Sequence, residues 1–305
     1  MDSLFRAGYI ALIGPPNAGK STFLNTVLGE KIAIVSPKPQ TTRTSITGIY
    51  TTPTEQIVFL DTPGVHTPRG KLNRFLVDAA WAALHQAHGV LLFLDAAKYA
   101  GRDAALQRDM RPMVDRLRAS GLPLALALNK IDLVKPKQLL LDVLALCGQQ
   151  WPDAELVPLS ARTGDGVERI LAVSRNFLPI SPPLFPEDQL STAPVRFLAA
   201  EIIREKLFLA LNQELPYHIA VDIEEWEELP EHNQTIIHAT IYAARPNHKG
   251  MIVGRQGATL KQVGQRARQE LKSLLGTKVH LELWVKVREG WTEDGHFMTS
   301  LGLGV

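Results

Sequence analysis

From Gly8 to Ser160, short apolar runs alternate with longer stretches of helical period. The runs are Tyr9–Ile13, Ile57–Leu60, Val90–Leu94, Leu124–Leu128 and Leu156–Leu159. Continuous apolar segments of this length, separated by helices, predict strands buried on both faces of a mostly parallel sheet. Ser45–Thr51, followed by Thr52-Pro53-Thr54-Glu55, predicts one more strand, an antiparallel edge partner of Ile57–Leu60. Helices are predicted near Lys20–Leu28, Leu72–Ala87, Ala104–Ala119, Pro136–Cys147 and Val167–Phe177. Strands and helices alternating in this way describe a doubly wound α/β domain over residues 1–178.

The pattern then breaks. Pro179, Pro182, Pro183, Pro186 and Pro194 fall close together, and proline lacks a backbone donor and fixes φ, which excludes a helix or a central strand. Residues 179–194 are therefore read as a linker. Beyond it the pattern predicts a helix (Pro194–Asn212), strands Tyr217–Trp226 and Gln234–Ala243, a helical stretch broken by glycine (Lys249–Leu275) and a last strand, Lys278–Val287. The order α-β-β-α-α-β over residues 195–305 is that of an independent α+β domain.

Composition narrows the class without deciding it. The chain has 305 residues, of which 45% are hydrophobic and 21% charged, enough for two packed cores and too apolar for a disordered chain. One cysteine, Cys147, excludes an internal disulfide framework and fits a reducing compartment, so a cytoplasmic location is expected; its leucine-rich surroundings read as core. No apolar run approaches the roughly 18 to 20 residues of a membrane span. The start, Met1-Asp2-Ser3, leads into a buried strand and not a signal peptide. Peripheral membrane contact stays open on this reading, and a monomer is expected.

After the first strand comes Gly14-Pro15-Pro16-Asn17-Ala18-Gly19-Lys20-Ser21, the pattern G-x-x-x-x-G-K-S at a strand-to-helix turn. Backbone N–H groups of such a loop converge on phosphate oxygens, aided by the positive end of the following helix. Gly14, Asn17, Ala18, Gly19 and Thr22 belong to this candidate site, with Lys20 facing the β- and γ-phosphates and the Ser21 hydroxyl on Mg²⁺. Asp61-Thr62-Pro63-Gly64 closes the strand Ile57–Leu60, placing a carboxylate to hold the metal through water and the Gly64 amide to read the γ-phosphate. Asn129-Lys130-Ile131-Asp132 follows the strand Leu124–Leu128. The Asp132 carboxylate can accept from guanine N1–H and the 2-amino group, which adenine cannot offer. Lys130 is expected to lie along the base, Asn129 to brace the phosphate loop, and Ser160-Ala161 to supply an N–H to guanine O6. Between these motifs lies Pro37-Lys38-Pro39-Gln40-Thr41-Thr42-Arg43, where a threonine, Thr42 or alternatively Thr41, reaches Mg²⁺ when GTP is bound.

In the second domain, Gly254-Arg255-Gln256-Gly257 interrupts the long helical stretch. From Arg245 to Arg288 there are ten basic residues against Glu270 and Glu282, whereas Asp222 to Glu231 holds six acids and no base. One face attracts phosphates and another repels them. Lys249, Gly250, Arg255, Gln256 and Lys261 are the candidate RNA contacts around the loop; Ile252 and Val253 either touch unstacked bases or are plain core. Leu260, Val263, Ala267, Leu271 and Leu274 are predicted as the core stripe of the following helix. Lys261, Arg268 and Lys272 share another face, which serves RNA or is simply solvated.

Two resemblances follow from these motifs. Gly254–Gly257 within α-β-β-α-α-β resembles a type II KH domain, whose loop clamps the backbone of about four nucleotides. The set G-P-P-N-A-G-K-S, P-Q-T-T-R, D-T-P-G and N-K-I-D resembles the Era family of bacterial GTPases. So do Arg196-Phe197, Glu201–Leu207 and Glu214-Leu215-Pro216-Tyr217 at the start of the second domain. The resemblance implies a P-loop GTPase domain followed by a KH domain, with GTP or GDP and Mg²⁺ bound. It further implies assembly of the small ribosomal subunit, with single-stranded RNA near the 3′ end of the small-subunit rRNA as partner. GTP is expected to order Thr42 and Asp61–Thr67 and to change how the domains sit. Lys20, Thr42, Asp61, Gly64 and Asn17 are the expected catalytic set. Val65 stands where Ras-type enzymes carry the glutamine that orients water, so slow or differently organised intrinsic hydrolysis is expected. In potassium-activated relatives an asparagine matching Asn17 ligands a monovalent cation, which makes K⁺ a candidate cofactor. Two rival readings are an RNA chaperone with structural nucleotide and a GTPase of tRNA modification; the latter class ends in a reactive cysteine and lacks a KH domain.

Overall fold

The computed structural model describes residues 4–68, 70–211 and 215–303. Its contacts divide into two compact units, one running to Thr192 apart from Gly70–Leu72, the other made of Gly70–Leu72 and the chain from Ala193. The first is the doubly wound domain the pattern predicts. Strands β1 (Arg6–Ile13), β2 (Ile46–Thr51), β3 (Glu55–Asp61), β4 (Gly89–Asp95), β5 (Leu124–Asn129) and β6 (Glu155–Pro158) lie in the order β2-β3-β1-β4-β5-β6. Only β2 runs antiparallel, against β3, in the register Ile46 with Asp61 through Thr51 with Gln56. All seven residues of β3 are buried, as strands covered on both faces require. Helices α1 (Lys20–Leu28), α2 (Gly70–Ala82), α3 (Ala96–Tyr99), α4 (Asp103–Ser120), α5 (Leu139–Gln150) and α6 (Val167–Asn176) complete it. Behind the phosphate loop, Phe23 of α1 packs edge-on to Phe59 and tilted on Phe93, at centroid distances of 5.6 and 5.0 Å. That contact seats the first turn of α1 over the sheet. Cys147 is buried in the core, which pushes its thiol up to about 12 and leaves it unreactive.

The proline-rich segment differs from the linker expected. Residues 180–191 run along the edge of the first sheet, with antiparallel bridges from Arg6 to Ile180 and from Gly48 to Ser191. Gln56, fully buried, accepts from the amides of Leu184 (2.7 Å) and Phe185 (2.9 Å) and donates to the Phe185 carbonyl (2.9 Å). Ile49 N donates to Leu190 O, and the Ser191 hydroxyl to Thr47 O. A chain with few donors of its own is held by donors and acceptors of β2 and β3 instead. It is a strap.

The second unit consists of α7 (Val195–Ala210), β7 (Ile219–Leu229), β8 (Gln234–Ala243), α8 (Pro246–Val253), α9 (Ala258–Leu275), β9 (Lys278–Val287) and α10 (Gly295–Ser300). Its sheet has the order β7-β8-β9, antiparallel then parallel. Helices α7, α8 and α9 contribute Ile203, Ile252 and Val263 to one core with Ile237 and Ile241 of the sheet. The charged residues of Glu201–Leu207 pair with one another and with α9. Arg204, 3% exposed, pairs with Glu201 at 2.6 Å and stacks on Phe208, while Lys206 joins Glu205 to Glu270 on α9. Asn212 and Glu214 lie outside the described residues. Leu274, placed in the α9 stripe by its spacing, is 41% exposed, and Leu275 packs on the core in its stead. The tail, where Trp291 is the one anchor expected, buries that residue completely, its indole N–H on His218 O. Among the described residues no helix is long and apolar enough to cross a membrane.

Candidate functional site

In the first sheet the strand order reverses direction about β1, and the motifs gather at the carboxyl ends of its strands, where doubly wound sheets bind ligands. A cleft of about 400 Å³ is lined by Asn17, Lys20, Ser21, Thr22, Thr42 and Lys130, among others. Lys20 folds back over the loop, its ammonium 3.2 Å from Gly14 O and 3.4 Å from Pro15 O. Gly19 has φ 97°, and a Cβ there would lie 2.1 Å from Asn129 Nδ2, so glycine alone lets Asn129 reach the loop. Asn129 then donates to Ala18 O at 2.8 Å.

The expected metal residues meet. The Ser21 hydroxyl donates to Asp61 Oδ2 at 2.6 Å and lies 2.9 Å from Thr42 Oγ1. Thr41, which lines the same cleft, bonds Ser36 Oγ and Lys38 O within its own loop. Asp61 Oδ1 is buried and finds no hydrogen-bond partner among the described residues. Two hydroxyls and a carboxylate with an orphaned oxygen are hard donors of the kind Mg²⁺ takes, so these residues fit the metal the motifs imply. Burial drives the electrostatics of the pair beside it. Desolvation pulls Lys20 down to about 8 against the raising influence of Asp61. It pushes Asp61 up to about 6 against the lowering influence of Lys20 and the Ser21 hydrogen bond.

Val65 is 3% exposed in the core, and its amide donates to Gly14 O at 3.0 Å. Its side chain therefore has no part in orienting water. The next residue, His66, meets Gln40 across the cleft edge, Nε2 to Nε2 at 3.1 Å. Asn17 has φ 62° and donates to Pro37 O at 2.7 Å, tying the phosphate loop to the switch segment.

On the base side, Asp132 is held by the Ser160 hydroxyl at 2.8 Å and by Arg162 Nη2 at 2.9 Å. Asn129 Oδ1 accepts from the amides of Lys130 and Ala161, at 2.8 and 2.9 Å, and the Ser160 amide donates to Asp165 O. The N–H groups expected on guanine O6 are thus engaged within the loop. Ser160 contributes its hydroxyl as the brace of Asp132. Lys130, at φ 66°, extends to Asp95 Oδ2 at 2.6 Å. Asp95 and Arg162 were not singled out by motif. Asp95 had a signal, standing at the end of an apolar strand in register with Asn129; Arg162 had none.

In the second unit Gly254 (φ 75°) and Gly257 (φ 77°) bracket a tight turn, with Gln256 at φ 49°. A Cβ on Gly254 would lie 2.2 Å from Thr259 Oγ1. The turn delivers the chain into the positive end of α9. Lys249, Gly250, Arg255, Gln256 and Lys261 are exposed around it, and Val253 is half-buried. Ile252, open between base contact and core, is core, with no exposed surface.

Known proteins bear on both units. Residues 9–130 match the model of a 50S ribosome-binding GTPase, and residues 214–292 that of a KH domain. The chain is 51% identical to GTPase Era of Nitratidesulfovibrio vulgaris (strain DSM 19637 / Miyazaki F) over 98% of its length and 97% of the relative's. It is 44% identical to GTPase Era of Geobacter metallireducens, covering 99% of each. Era in complex with MgGDPNP and nucleotides 1506–1542 of 16S ribosomal RNA superposes with TM-score 0.91 at 37% identity, over 99% of this chain and 100% of the other. An Aquifex aeolicus Era variant bound to GDP·AlF4⁻ gives 0.91 at 36%, with the same coverage. With the motifs in place and both domains matched end to end, the chain belongs to the Era family of GTPases.

Proposed function

We propose that the chain uses a GTP cycle, with Mg²⁺, to gate its hold on single-stranded RNA at the 3′ end of the small-subunit rRNA during small ribosomal subunit assembly, working in the cytoplasm as a monomer. The full-length likeness to Era bound to MgGDPNP and a 16S rRNA segment carries this reading.

Lys20 gives its charge to the β- and γ-phosphates and regains the protonation that burial opposes. Thr42 and Asp61, joined through the Ser21 hydroxyl, hold the metal with it, which when bound would neutralise charge developing on the transferred phosphoryl group. Gly64 offers its amide to the γ-phosphate, and loss of that phosphate releases Thr42 and the segment after Asp61. Asp132, oriented by Ser160 and Arg162, selects guanine, while Lys130 covers the base from its anchor on Asp95. Asn17, next to Pro37 O, is the ligand proposed for a K⁺ ion beside the phosphates; equal turnover in potassium and sodium buffers would dispose of that role. In the second unit Lys249, Arg255 and Lys261 hold the RNA backbone around the Gly254–Gly257 turn, with Gly250, Val253 and Gln256 beside it and Ile252 supporting from the core.

The test is GTP turnover with an rRNA 3′-end oligonucleotide or a scrambled one. A rate changed by the first alone supports the reading; equal rates with both would break the link between the two activities.

A further inference from the structure

The second unit has a face that the RNA reading leaves unused. Helices α7, α8 and α9 all cover the inner side of the sheet, over Ile237, Ala239 and Ile241. Strand alternation turns the intervening residues outward. In register across that outer side stand Glu225, His238 and Glu282, with Trp284 next along β9. The row is knit by His238 Nδ1 to Glu225 at 2.8 Å, and by His280 Nε2 to Glu282 at 3.1 Å. Trp284, on the edge strand, is 60% exposed. Further along the same side Tyr242 is capped by Phe297 of α10 at 5.0 Å, but the Trp284 indole stays exposed, an anchor of the kind found at the centre of interfaces.

Charge decides what it suits. On this outer side Asp222, Glu224, Glu225 and Glu227 of β7 stand with Glu282 against Lys278 and Lys286 of β9, and Lys286 is already paired with Glu224 at 2.8 Å, which leaves the face acidic. Such a face repels phosphates, so the indole is ill placed as a stacking platform for bases. A guanidinium or ammonium gains both from the ring face and from the carboxylates beside it.

We propose that the outer face of the β7–β8–β9 sheet docks a lysine- and arginine-rich polypeptide segment, anchored on Trp284 and paired with Glu225 and Glu282. The surface lies on the far side of the sheet from the helices that carry the RNA loop. Protein and RNA partners can therefore be held at once.

A labelled alternating lysine–arginine peptide, titrated into the full chain and read by fluorescence polarisation, tests this. Binding is expected to weaken with salt. It should fall roughly fivefold in Trp284→Ala and roughly tenfold in the double variant Glu225→Gln/Glu282→Gln. Trp284→Phe should keep most of the affinity, and binding of the rRNA oligonucleotide should not change in any of them. Peptide affinity equal in all variants overturns the proposal. So does loss of RNA affinity alone in Trp284→Ala, which would make this a nucleic-acid face. Dissociation of a sedimenting dimer in Trp284→Ala with peptide binding intact would assign the face to a second copy and overturn it equally.

Discussion

Asp61 and Lys20 are both buried in the direction that costs their charged forms, and the pH dependence follows from the signs. Asp61 is raised to about 6 in the fold, so the folded state binds the extra proton between the ordinary carboxylate value and about 6. Its contribution makes the ligand-free protein more stable as pH falls through that window. Lys20 is lowered to about 8, so the folded state binds fewer protons between about 8 and 10.5, and its contribution rises with pH there. Melting temperatures of ligand-free wild type and Asp61→Asn should differ least at low pH, diverge as pH rises from the ordinary carboxylate value to about 6, and keep a steady offset above it. A difference constant over the whole range would contradict the assignment. On the base side, Asp132→Asn exchanges an acceptor for a donor. GTP affinity should drop by on the order of 10⁴-fold while a xanthine nucleotide gains. Competition binding with the two nucleotides reads this, and full retention of GTP affinity would remove Asp132 from base recognition.

At the scale of elements, the Gly254–Gly257 turn and the strap make opposite demands. Gly254→Ala meets both a positive φ and Thr259 at 2.2 Å, so the turn must deform. Affinity for the rRNA oligonucleotide should fall severalfold while GTP turnover without RNA stays at the wild-type value, the two being measured on the same preparation. The strap predicts a stability effect instead. Gln56→Ala leaves the amides of Leu184 and Phe185 without their acceptor. Leu184 is exposed and Phe185 half-buried, so water can reach the freed amides, and urea unfolding should register a loss of about 1 kcal/mol, the net worth of a hydrogen bond. The strap also shows where the pattern stopped speaking. Five prolines announce the end of regular structure, and they are mute on whether the segment is free or tied. The tie is one glutamine inside β3, a polar residue in a wholly buried strand, and that was the sign of it. Elements with strong period were legible to within a few residues. Leu274 and Leu275 were not separable, because three and four residues beyond Leu271 both fall on one helix face, and only packing chooses between them.

For the molecule as a whole, the two-domain architecture and the phosphate and base motifs could be read from spacing, since each requires particular residue types at strand ends. What spacing did not contain was the bracing between motifs: Asp95 under Lys130, Arg162 over Asp132, and the Ala161 amide turned to Asn129 instead of outward. These contacts join residues far apart in the chain and are set by the sheet order. The central claim, that nucleotide state gates RNA capture, belongs to this scale, because coupling between two sites is a property of both. Its most direct test is the affinity of a labelled 3′-terminal small-subunit rRNA fragment for the ligand-free, GDP and non-hydrolysable-GTP forms, against a scrambled fragment. The account predicts selective binding that is tightest in the GTP form; equal affinity in all three states would contradict it.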